Sequence, residues 1–127
     1  MASILVIDDD SEMREMVAIT LESAGYGVSQ ALGGIEGIRA ARDSRFDLIV
    51  LDILMPDVDG IEVMMNLRHD NINTPVVLIT GLRSDSELYN AATTCIGAIR
   101  VLGKPFKRDQ LLKVVATILE SKGAAQS

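Results

Sequence analysis

The chain is poor in the residues on which many functions rest. Its single cysteine, Cys95, excludes an internal disulfide and leaves a thiolate metal site without partners. Tryptophan is absent and the only aromatic residues are Tyr26, Phe46, Tyr89 and Phe106, too few to build a stacking platform for nucleotide bases. The longest apolar runs, such as Leu48 to Leu51 and Val76 to Ile79, are four residues long. A membrane-spanning helix needs roughly 18. The opening residues also lack the basic, then apolar pattern of an export signal, because Asp8, Asp9 and Asp10 arrive almost at once. The expected location is therefore the cytoplasm.

At 127 residues the chain is expected to form one domain, with no room for a fused DNA-binding module beside it. That domain is expected over residues 1–122, with 123–127 as a flexible tail or the start of a linker. Apolar residues make up 48% and charged residues 24%, the balance of a globular protein with a real core. The net charge of −6 is unevenly spread. Residues 1–63 carry 4 basic and 13 acidic groups, whereas 64–127 carry 8 and 5. An acidic surface is repelled by phosphate backbones, which argues against direct nucleic-acid binding.

Short β-branched runs alternate with segments of helical period, the pattern of a parallel sheet covered by helices on both faces. The class is α/β, doubly wound. The runs are Ser3 to Ile7, Gly27 to Ala31, Leu48 to Leu51, Pro75 to Thr80 and Ala98 to Leu102. Met13, Met16, Val17, Thr20, Leu21 and Ala24 share one face of a predicted helix ending at Gly25. Ile61, Met64 and Met65 repeat the spacing, as do Leu88, Ala91, Ala92 and Cys95, and Leu111, Leu112, Val115 and Leu119. A fifth helix, about Ile35 to Arg42, is weaker because Gly33, Gly34 and Gly37 lower its propensity. The methionines read as core residues of these helices rather than as ligands.

Ligands of an open parallel sheet bind outside the carboxyl ends of its strands, so the residues that follow each run carry the functional information. The first run leads into Asp8-Asp9-Asp10, the third into Asp52, the fourth closes on Thr80-Gly81 and the fifth leads to Lys104-Pro105. Carboxylates a few ångströms apart repel by roughly 4 kcal/mol per pair at an effective dielectric near 20. A hard divalent cation resolves that repulsion, and oxygen-only ligands suit Mg²⁺. Asp10 reads instead as a cap of the following helix. Asp8, Asp9 and Asp52 remain as a metal site in which Asp52 is a nucleophile, Thr80 offers a hydroxyl and Lys104 a positive charge. These are the parts of a phosphoryl transfer ending in an aspartyl phosphate.

Four ordered motifs now make a resemblance. They are Ile4-Leu5-Val6-Ile7-Asp8-Asp9-Asp10, the stretch from Gly25-Tyr26-Gly27-Val28 to Gly34-Ile35-Glu36-Gly37, the segment from Asp52-Ile53-Leu54-Met55-Pro56 to Asp59-Gly60, and Gly103-Lys104-Pro105-Phe106. Together they resemble the receiver domain of two-component response regulators of the chemotaxis-regulator type. The resemblance implies a flavodoxin-like, five-stranded sheet of order 2-1-3-4-5 with five helices. It implies phosphorylation of Asp52 by the phosphohistidine of a sensor histidine kinase or phosphotransfer protein. It further implies Mg²⁺ on Asp9, Asp52 and the Leu54 carbonyl, Asp8 reaching it through water, and a cis peptide between Lys104 and Pro105. The domain is then a phosphorylation-controlled switch that signals by protein contact, with no enzymatic turnover beyond its own phosphotransfer and slow dephosphorylation.

One departure from the family concerns readout. Val101 stands where an aromatic residue turns inward on phosphorylation, and valine has no ring to turn. Arg100, Lys107, Arg108 and Lys113 read equally as a docking surface for an acidic output partner or as a solvated face. His69 reads as a helix-end surface residue, since the family's phosphodonor histidine belongs to the partner, and Cys95 as core.

Three alternatives remain beside this reading. A Mg²⁺-dependent phosphohydrolase with an aspartyl nucleophile is disfavoured, because Ile53-Leu54 follow Asp52 where such an enzyme has a second acid two residues on. A flavodoxin-like cofactor binder is disfavoured because Asp8 to Asp10 would repel its phosphate. A pseudo-receiver that docks without phosphorylation is supported by Val101 alone.

Overall fold

The computed structural model describes residues 1–81 and 100–126. In chain order the elements are β1 (Ser3–Ile7), α1 (Ser11–Ser23), β2 (Gly27–Ala31), α2 (Gly34–Asp43), β3 (Leu48–Asp52), α3 (Gly60–His69), β4 (Val76–Thr80), β5 (Arg100–Gly103) and α4 (Arg108–Gln126). The strands form one parallel sheet in the order β2-β1-β3-β4-β5. This is the expected doubly wound sheet, with four helices among the described residues. The helix expected around Leu88 to Cys95 lies outside them.

Burial follows strand position. β3 and β4 are buried along their whole length and β1 nearly so, as central strands covered on two faces must be, while edge strands β2 and β5 are half open. The period-two alternation of side chains divides the core into two layers. Leu5, Ile7, Ile49, Leu51 and Leu78 pack with Ile38 and Ala41 of α2 and with Val63, Met64 and Leu67 of α3. Ile4, Val6, Leu48, Val50, Val77 and Ile79 pack with Val17 and Leu21 of α1 and with Leu111, Val115 and Ile118 of α4.

Several expectations need correction. The buried face of α1 is Arg14, Val17, Ala18, Thr20 and Leu21, so the helix is rotated from the face expected and Met13 and Met16 are only half-buried. Among the methionines only Met64 is fully buried, and Met65 is 58% exposed because Val63, Met64 and Leu67 fill the inner face of α3. β3 extends one residue further, to Asp52, through pairing of Asp52 with Ile79. β4 starts at Val76 because Pro75 has no N–H to give the ladder, though its carbonyl accepts from the Ile49 N–H at 2.9 Å. The backbone of α4 is helical from Arg108 to Gln126.

The glycines that weaken α2 as a helix are what let it pack. A Cβ on Gly37 would lie 2.5 Å from Ile7 Cδ1, 2.8 Å from Cγ1 and 2.9 Å from Cγ2, atoms of a stiff β-branched side chain at the end of β1. Gly37→Ala is therefore expected to destabilise by about 1–3 kcal/mol through overpacking, despite alanine's better helix propensity. A urea unfolding curve with a lowered midpoint and unchanged slope would show this; an unchanged or raised midpoint would refute it.

Candidate functional site

β1 and β3 are neighbours in the sheet, with Ile7 paired to Leu51, so the next residue of each strand line, Asp8 and Asp52, emerges at the same edge. The strand order also reverses here, since β2 lies on one side of β1 and β3 on the other. Asp8 and Asp52 are buried, at 3% and 6% exposure, and Asp9 is exposed. One carboxylate oxygen from each of the three lies within 4.8 Å of the others. Among the described residues the chain thus brings its three candidate metal ligands into one cluster.

The remaining candidates arrive from β4 and β5. Thr80, fully buried, ends β4 immediately after Ile79, the partner of Asp52. The loop after β5 is tied to β4 by a bond from the Lys104 N–H to the Thr80 carbonyl at 2.7 Å, and the Lys104–Pro105 peptide is cis. Lys104 Nζ stands 3.6 Å from Asp52 Oδ1. The Leu54 N–H is near enough to the Asp52 carboxylate to pull its pKa down, which puts the Leu54 backbone at the cluster.

Electrostatics follow from this crowding. Burial is the largest influence on Asp52 and, with the Asp8 charge, pushes its pKa up to about 6 against the pull of Lys104. Burial likewise raises Asp8, opposed by the Asp10 N–H that donates to its Oδ1 at 3.0 Å and by the Lys104 charge. The Asp8 carboxylate also opposes ionisation of Asp52, so the two groups influence one another's titration. Asp10 stands apart and caps α1, accepting from the Glu12 and Met13 N–H groups at 3.0 and 3.3 Å.

Two contributors were not expected from the sequence. Arg14, 7% exposed, donates to the Asp8 carbonyl at 2.9 Å and to Gln30 Oε1 at 3.1 Å, pinning the end of β1 where the acidic pair begins. The spacing of Arg14 with Ala18 and Leu21 on one helical stripe was the available signal. Asp57 accepts from the Gly34 and Ile35 N–H groups at the start of α2, which lowers its pKa, the Ile35 bond most. A contact between positions so far apart in the chain leaves no local signal.

Arg100 and Lys113 line a groove between β5 and α4, whereas Arg108 lines another with Glu12, Glu15 and Ile19 of α1. Lys107 is exposed, and His69 is an exposed residue at the last position of α3. Val101 is half-buried against the layer that contains Leu5 and Leu78.

The raised Asp52 pKa has a sign that can be measured. In the metal-free protein the folded state holds this proton more tightly than the unfolded chain, so the group stabilises below about pH 4, and that contribution is lost as pH rises through about 6. Asp52→Asn is expected to melt higher than the unaltered protein in a chelator, by a margin that grows from pH 5 to pH 7.5. Thermal unfolding of both proteins across that range is the check, and a constant or shrinking margin would contradict it.

Known proteins share the family and the fold of this chain. The response regulator receiver domain family matches residues 4–116. The chain is 36% identical over 126 residues to the cell cycle transcriptional regulator CtrA of Caulobacter vibrioides, covering 98% of this chain and 53% of that protein. It is 39% identical over 121 residues to the DNA-binding dual master transcriptional regulator RpaA of a Synechocystis strain, covering 94% and 49%. The chain thus spans about half the length of these curated relatives. Among solved structures, chemotaxis protein CheY4 of Vibrio cholerae superposes with a TM-score of 0.83 at 33% identity, over 93% of this chain and 98% of that one. The Francisella response regulator 1452 receiver domain superposes with a TM-score of 0.87 at 31% identity, over 96% and 99%. The sheet order, the acidic cluster at its switch point and the family match over most of the chain lead to one conclusion: this protein belongs to the response regulator receiver domain family and has the fold of a phosphorylation-controlled signalling switch.

Proposed function

We propose that Asp52 is the phosphoacceptor, and that Asp8, Asp9, Asp52 and the Leu54 carbonyl hold a Mg²⁺ ion beside it. The observation that carries this reading is the cluster of three carboxylates within 4.8 Å, with Lys104 Nζ 3.6 Å from Asp52. An all-oxygen donor set without histidine or cysteine fits a hard cation that keeps several waters. When bound, Mg²⁺ supplies charge neutralisation on the oxygens of the transferring phosphoryl group.

The chain's own residues divide the remaining work. Above about pH 6 Asp52 is ionised, and one carboxylate oxygen forms the new bond to phosphorus. The phosphorus–nitrogen bond of a partner's phosphohistidine breaks, and the imidazole nitrogen leaves with the electron pair. Lys104 then exchanges its contact with the free carboxylate for one with a phosphoryl oxygen, and the Thr80 hydroxyl donates to another. The donor is a sensor histidine kinase or a histidine phosphotransfer protein, and the reaction belongs to the cytoplasm. Output is by contact with a further protein, for which the Arg100 and Lys113 groove is the better placed part of the basic set. CtrA and RpaA are transcriptional regulators. In this chain's own residues the reading is of a regulatory phosphoacceptor, not an enzyme with turnover and not a nucleic-acid binder.

Treatment with a small acyl phosphate and Mg²⁺ is expected to add the mass of one phosphoryl group to the protein and none to Asp52→Asn. Mg²⁺ alone at ten times its dissociation constant is expected to stabilise the fold by about 1.4 kcal/mol, an effect lost in Asp8→Asn and Asp52→Asn. An unmodified protein after acyl phosphate treatment, or equal modification of Asp52→Asn, would overturn the assignment.

Val101 leaves the signal to the backbone link between Thr80 and Lys104, since valine carries no ring to rotate. Backbone amide shifts on beryllofluoride binding are therefore expected to be large at Thr80 and Lys104 and small at Val101. A change at Val101 as large as that at Thr80 would contradict this.

A further inference from the structure

Asp57 lies on the loop from β3 to α3, yet its carboxylate serves α2. Its Oδ1 accepts from the Gly34 N–H at 3.2 Å and its Oδ2 from the Ile35 N–H at 3.1 Å. α1 and α3 are capped by the aspartates that immediately precede them, Asp10 and Asp59, whereas Gly33 at the same position of α2 gives no side-chain cap. A Cβ on Gly33 would stand 2.9 Å from Asp57 Oδ2, and one on Gly34 2.7 Å from the Val58 carbonyl oxygen. The glycine pair therefore leaves the room that Asp57 and Val58 occupy. The missing cap of α2 is supplied by the very loop that leads away from Asp52, and Asp9 borders the same groove as Gly33 and Asp57.

We infer that Asp57 is a positioning residue for the acidic site: it holds the loop from Ile53 to Asp59 against α2, so that the Leu54 backbone stays beside Asp52 and α2 responds to what occupies the carboxylates. The inference rests on the Mg²⁺ reading given above. A helix cap shifts a local equilibrium about five-fold, which sets the ceiling of the coupling. Linkage requires the metal to act on the cap by the same factor as the cap acts on the metal.

The test titrates Mg²⁺ into the unaltered protein, Asp57→Ala, Asp57→Asn and Ile38→Val, and follows hydrogen exchange at the Gly34 and Ile35 amides. Ile38→Val lowers overall stability from the buried face of α2 while keeping the Asp57 carboxylate to which the Gly34 and Ile35 N–H groups donate. Asp57→Ala is expected to weaken Mg²⁺ binding about five-fold. Asp57→Asn, which keeps an acceptor, recovers most of the loss, and Ile38→Val binds as the unaltered protein does. Saturating Mg²⁺ slows exchange at Gly34 and Ile35 about five-fold in the unaltered protein, and not in Asp57→Ala. Mg²⁺ affinity within two-fold in Asp57→Ala, with faster exchange in α2, would overturn the inference and reduce Asp57 to a cap. Failure of the unaltered protein to bind Mg²⁺ would instead remove the metal reading, and the inference with it.

Discussion

The repulsion among Asp8, Asp9 and Asp52 is the constraint on which the rest of the structure depends. Sheet register allows no escape from it, because pairing Ile7 with Leu51 delivers Asp8 and Asp52 to the same edge and burial of both removes most of the screening water. What the fold offers in return is partial: the Lys104 ammonium and the nearby Asp10 and Leu54 N–H groups. A site so arranged is held at a cost to stability, and its natural relief is positive charge, whether from a cation or from a ligand brought with one.

The remaining architecture serves to hold that edge still. Two apolar layers, one on each face of the sheet, fix the central strands from both sides, so the acidic residues at their ends inherit the rigidity of the core. The loops are tied down by contacts at very short range. Gly60 is one such place: a Cβ there would lie 2.5 Å from the Asp52 carbonyl oxygen, and its N–H donates to the Ile53 carbonyl at 2.7 Å. Only a residue without a side chain lets α3 begin that close to the end of β3. The glycines of α2 act in the same way against Ile7, Asp57 and Val58.

Much of this was legible in the residue order. Runs such as Leu48 to Leu51 are too uniformly apolar for anything but a strand buried on both faces, and an acid at the end of one stands out because solvated acids rarely sit there. Among the described residues the elements therefore follow the expected order, and the charged groups at the strand ends could be named in advance. Helix faces were less legible. Period alone could not fix the rotation of α1 or α3, since Met13, Met16 and Met65 satisfy the spacing as well as Arg14 and Ala18 do, and only the neighbouring sheet decides which stripe it covers. The glycines of α2 looked like a weakness because propensity measures an isolated helix and not what presses against it.

By itself the amino-acid order determined the alternation of strands and helices, the sheet's class and the identity of the charged groups at its carboxyl edge, because these follow from local periodicity and from which residue comes next. Tertiary structure alone decided the distances: that three carboxylates crowd together, that Lys104 reaches Asp52, that Arg14 turns inward and that Asp57 caps a helix more than twenty residues upstream. Such contacts join positions remote in the chain, and their energies depend on burial and approach, quantities that exist only once the chain has folded.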